Sequence, residues 1–106
     1  MLELDKARKE LSEKNLNQIQ RETAITWASR AAISFENCVA AQDGMCAMAC
    51  WSLGEEYFHE ACEHAALVTE DAFIGQIKNE LVPYQDKAAE AMNKLFSSKV
   101  LIRFSK

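Results

Sequence analysis

Glycine and proline are scarce in this chain, with three glycines and one proline in 106 residues. A β-sandwich or barrel needs turn signals every ~8 to 12 residues, so an all-β fold is excluded. Basic charge is also short, at 12 Lys and Arg against 16 Asp and Glu, for a net charge of −4. Phosphate backbones repel such a chain on average, and nucleic acid is not an expected partner. No window approaches the ~20 consecutive apolar residues of a membrane span, so no membrane partner is expected either. The start, Met1-Leu-Glu-Leu-Asp-Lys6, is charged from its third residue and lacks the apolar stretch that a secretory signal carries. What is present is 49% hydrophobic and 26% charged residues, enough apolar surface to fold and too little charge excess to oppose it. The length fits a single helical domain spanning 1–106. Four cysteines, Cys38, Cys46, Cys50 and Cys62, are expected reduced in a cytoplasm, because a core of this size needs no staples.

From Met1 to Asp43 the residues are mostly Ala, Leu, Glu, Lys, Gln and Arg, all strong helix formers. One helix over that stretch would be ~60 Å long, wider than a compact domain of this size, so a break or bend is expected. Lys14-Asn15-Leu16-Asn17 is the weakest point, since asparagine side chains compete for backbone hydrogen bonds. Asp43-Gly44 is the strongest stop, and Val68–Asp71 the next, with Thr69 a candidate cap. Val82-Pro83 is a third, because proline disfavours helix in the residue before it. The expected architecture is all-α: a small antiparallel bundle of four helices around a tight central hairpin, or five if 1–15 stands apart. The basic, apolar tail 99–106 is read as a frayed end or a docking segment.

On a helical wheel Ala47, Gly54, Phe58, Ala61 and Ala65 form one stripe, flanked by Trp51 and Cys50. Ala47, Gly54 and Ala61 recur every seven residues, so small side chains let a neighbouring helix approach closely. Gly54 either serves that crossing or ends a shorter helix. Ala24, Ala28, Ala31, Phe35 and Cys38 share a matching face upstream, with Trp27 beside it. Phe73, Ile74, Ile77 and Leu81 form a third stripe, and Ala88, Ala91, Met92, Leu95 and Phe96 a fourth. Leu11, Ile19 and Ile33 fall on the opposite side from the Ala24–Phe35 stripe and are candidate interface residues. A small bundle gains core by pairing, which favours a homodimer.

The densest set of metal-capable side chains is Glu56, His59, Glu60 and Glu63. Glu56-x-x-His59 and Glu63-His64-Ala65-Ala66 resemble the ferritin-like proteins, which hold iron between helices and in some cases across a dimer. That resemblance implies a carboxylate and imidazole centre. The chain departs from it by lacking a second Glu-x-x-His and by carrying Ala61 where a liganding glutamate would stand. On the wheel the four residues face away from the small-residue stripe, as a solvated acidic face does. Cys46 and Cys50, with Met45 and Met48 beside them, offer a soft-metal alternative and resemble cysteine-rich copper-storage bundles, though they supply only half a tetrahedral site. His64 lies at the edge of the apolar face and is expected to bond a neighbour. Cys50–Tyr57 resembles the first helix of a tetratricopeptide repeat in its Leu53-Gly54-x-x-Tyr57 spacing, which implies helical-hairpin packing.

No constellation converges on a pocket, so no cofactor is expected, no metal site is favoured and catalysis is not anticipated. The expected function is contact with a protein partner as an adaptor, chaperone or regulator. A metal-binding bundle is the alternative.

Overall fold

Helix formers predominate to Ala40 with no glycine or proline among them, and in the computed structural model they build one helix, α1, over Leu2–Ala40. Asp43 then stops and restarts the chain. Its backbone is extended, its carboxylate accepts a hydrogen bond from the Cys46 N–H at 2.9 Å, and α2 follows over Gly44–Ala66. Such a cap typically contributes ~1 kcal/mol. After a corner at 67–70, α3 runs over Ala72–Phe104. The structure describes residues 2–70 and 72–104, with side chains over 3–70 and 72–97.

The fold is all-α, and the described residues form three helices, not four or five. The two missing breaks have separate causes. At 14–17 the helix continues because Asn17 spends its side chain on the 67–70 corner, accepting a hydrogen bond from the Thr69 N–H at 2.8 Å, rather than on its own backbone. The segment 1–15 is therefore no separate helix where it is described. At Pro83 the helix also continues. Pro83 and Asn79, whose carbonyl loses its donor there, are both exposed, so water can take the bond. Ile77, Leu81 and Ala88, buried on the other side, hold α3 together across the proline. The helix begins at Ala72, so Thr69 is not its cap. The tail 99–106 is helical as far as Phe104, and its side chains lie outside the described residues.

The objection that one helix would be too long assumed a compact shape. The molecule measures 81 × 20 × 15 Å, and its radius of gyration of 19.7 Å far exceeds the ~13 Å of a compact chain this long. The helical register explains that length. α1 and α2 run antiparallel, pairing Phe35 with Trp51, Trp27 with Tyr57 and Gln20 with His64. α3 runs parallel to α1, bringing Ala88 to Cys38 and Phe73 to Arg21. The last fourteen residues of α3 thus pass the end of α1, while α1 starts well before the end of α2. A ~58 Å helix plus a ~21 Å overhang accounts for the long axis.

The core lies where α1 and α2 meet. Ala24, Ala31 and Cys38 on one helix and Ala47 and Ala61 on the other are fully buried. Gly54 continues unbroken through α2 and serves the close crossing: a Cβ built there would stand 2.5 Å from Cε1 of Phe35. Phe35 itself is fully buried, worth roughly 1.5 to 3 kcal/mol, with Trp51 at 5.4 Å between ring centroids. α3 closes the groove with Phe73, Ile77, Leu81 and Ala88.

Two substitutions test this account. Gly54→Ala gains helix propensity of ~1 kcal/mol yet loses more to the Phe35 ring, for a net destabilisation of ~1 to 2 kcal/mol in denaturant unfolding. Adding Phe35→Leu should return part of that loss, so the two changes are non-additive. Pro83→Ala restores a helical donor on the solvent side and should stabilise the protein by ~2 kcal/mol. A loss of stability would mean that the proline relieves strain in α3.

Candidate functional site

The α2 residues with metal-ligating side chains sit on its outer face, opposite the buried Ala47–Ala61 stripe. Glu56, His59 and Glu63 are exposed and Glu60 is half-buried. His59 Nε2 stands 2.8 Å from Glu63 Oε1, one helical turn on, and Glu60 Oε2 lies 3.9 Å from His64 Nε2. The carboxylates thus divide between two imidazoles. Among the described residues no set of three or more His, Cys, Asp or Glu side chains gathers around a common point that could hold an ion.

The four cysteines are free thiols, spread between core and surface. Cys38 is buried in the core, and burial, then the nearby Cys50, pushes its thiol up. Cys62 is raised by burial and partly offset by the charge of Lys78. Cys46 is exposed. A hydrogen bond to the Asp43 carboxylate, and then repulsion by that charge, hold it above the ordinary thiol range. Cys46 and Cys50 therefore differ in exposure and surroundings, one on the rim of the helix start and one against the core.

His64 takes the boundary position expected of it. It is half-buried, and its Nδ1 lies 2.9 Å from Oε1 of Gln20 on α1. It belongs to a belt of polar contacts that holds one end of the hairpin. Arg21 pairs with Glu70 at 2.6 Å and lays its guanidinium over the Phe73 ring at 4.6 Å, while Asn17 holds Thr69. At the other side of α2, Gln85 Nε2 donates to Glu55 Oε1 at 2.7 Å and ties on α3. These anchors were not singled out from the sequence, though Asn17 carried a signal. It stands seven residues before Ala24 and fourteen before Ala31, in line with the buried stripe, where a polar residue needs a partner.

The remaining candidates are apolar and exposed. Leu11, Ile19 and Ile33 are 61%, 56% and 58% accessible, and they are joined along α1 by Leu4, Leu16, Ile25 and Val39. Every residue from Glu3 to Leu16 is exposed, so the first turns of α1 stand clear of the other two helices. Open clefts run beside this helix, one lined by Arg8, Leu11, Asn15 and Ile19, another by Ile25, Ala32, Leu81 and Tyr84. Comparison with protein-family models, curated proteins and solved structures finds no match to this chain.

The Cys46 thiol offers a direct check of the local electrostatics. Because its pKa is raised, its thiolate fraction at neutral pH is low and alkylation should be slow. Asp43→Asn keeps a capping side chain but removes the charge, so the midpoint of the pH–rate profile should move down and the rate at pH 7 should rise. An unchanged profile would show that Asp43 does not control this thiol.

Proposed function

We propose that this protein acts through protein contacts, as a self-associating adaptor, chaperone or regulator working in the cytoplasm, with no chemistry of its own. The observation that carries this reading is the surface of α1. Seven large apolar residues, from Leu4 to Val39, are exposed along its length, and the four turns at its start are exposed throughout among the described residues. A lone helix of about fifteen residues is marginal in water, so this one is built to be covered. Pairing also suits a chain whose core is a thin seam of alanines, since a small fold gains buried area most readily from a neighbour. The free thiols fit a reducing compartment. The titratable side chains of α2 spread along its outer face, which suits solvation better than catalysis.

Sedimentation equilibrium tests the self-association. The expected mass is twice the 11.9 kDa of one chain at micromolar concentration, falling toward one chain on Leu11→Glu while circular dichroism stays helical. A monomer of unchanged mass with and without the substitution would remove self-association from this reading.

A further inference from the structure

Four of the seven exposed apolar residues of α1 share one line. Leu4, Leu11, Ile25 and Val39 fall on one seven-residue repeat, completed by Gln18 and Ala32, and this repeat crosses two different surroundings. Leu4 and Leu11 lie on the bare overhang. Ile25, Ala32 and Val39 lie along the groove between α1 and α3, whose other wall carries Glu80, Tyr84 and Lys87. A seven-residue apolar repeat is the mark of a helix that packs lengthwise against another. Among the described residues nothing occupies that line at either end.

We propose that the occupant is a second copy of the chain, each copy laying the overhang of its α1 antiparallel into the α1–α3 groove of the other. This deepens the self-association proposed above and rests on it. Three features of the chain select this arrangement. The first is length: the overhang from Glu3 to Leu16 and the groove from Ile25 to Val39 are each ~20 Å long. The second is symmetry. Antiparallel pairing sets Leu4 opposite Val39, Leu11 opposite Ala32 and Gln18 opposite Ile25, and the same pairs recur on the other side of a two-fold axis, so the interface is isologous and closes as a dimer. The third is charge. Running antiparallel, the overhang brings Lys14 to Glu80 and Arg8 to Glu36. A parallel helix would set Glu3 and Glu10 against Glu80 and Lys14 against Lys87. Two adverse contacts remain: Lys87 stands level with Lys6 and Arg8 of the overhang, and the two Glu22 side chains approach each other near the axis. Ile19 and Ile33 stay on the outside of the pair.

A cross-link tests the register. In a Cys46→Ser background, Leu11→Cys and Ala32→Cys introduce thiols that are ~31 Å apart on one rigid helix, far beyond the 4.4 to 6.8 Å Cα separation of a disulfide. A bond between positions 11 and 32 can form only between copies, and mild oxidation should give a covalent dimer with that linkage identified by peptide mass spectrometry. Lys14→Glu should weaken the non-covalent dimer several-fold, since the contact occurs twice, and adding Glu80→Lys should restore it. Glu22→Gln should tighten it. The proposal is overturned by a chain that remains monomeric. It is equally overturned by a dimer that links through Leu11→Cys alone, pairing overhang with overhang, or by one that Ile19→Lys and Ile33→Lys dissociate while the 11–32 bond never forms. In those last two cases self-association stands and only its geometry fails.

Discussion

The rest of the structure depends on one close approach, where the Phe35 ring lies against the bare backbone of Gly54. With a Cβ at that position, α2 would have to move away from α1, and every contact above and below it along the seam would lengthen. The alanines at 24, 31, 47 and 61 are useful only because the helices are already that near. Small side chains contribute little apolar area each, but in close contact they bring backbones and neighbouring rings within dispersion range. Trp51 and Tyr57 then pack at tilted angles against Phe35 and Trp27 from the flanks of the seam.

A seam of that kind fixes the pairing of two helices without fixing their lengths. α2 has 23 residues, whereas α1 has 39 and α3 has 33, so the longer helices project from opposite ends. The polar belt of Asn17, Gln20, Arg21, His64 and Glu70 marks where the packed part of α1 finishes. Beyond it the helix carries leucines and mixed charges, all exposed among the described residues. The proposed function follows from this mismatch of lengths and not from any cluster of reactive groups.

The acidic and histidine residues of α2 show why spacing alone is an uncertain guide to chemistry. Glu56 and His59 are three apart, as in a metal-binding helix, but their face of α2 lies away from the buried stripe, and His59 meets Glu63 of the same helix. An ion site needs side chains from several elements aimed at one point. The seven-residue recurrence of small residues is a better guide, because it states which face is buried and thereby which faces are not.

The all-α class, the stop at Asp43-Gly44, the buried stripes of α1 and α2 and the outward placement of Leu11, Ile19, Ile33 and the Glu56–Glu63 cluster were legible in the chain, since each follows from helix periodicity and local backbone preference. The number of helices was not. Asn17 and Pro83 both weaken a helix locally, and whether they end one is decided by what surrounds them: a corner N–H for Asn17 to hold, and a buried stripe of Ile77, Leu81 and Ala88 on the far side from Pro83. The use of Gly54 and the projection of the helix ends likewise rest on register between elements far apart in the chain. Periodicity says which way a side chain points, and only packing says what it meets.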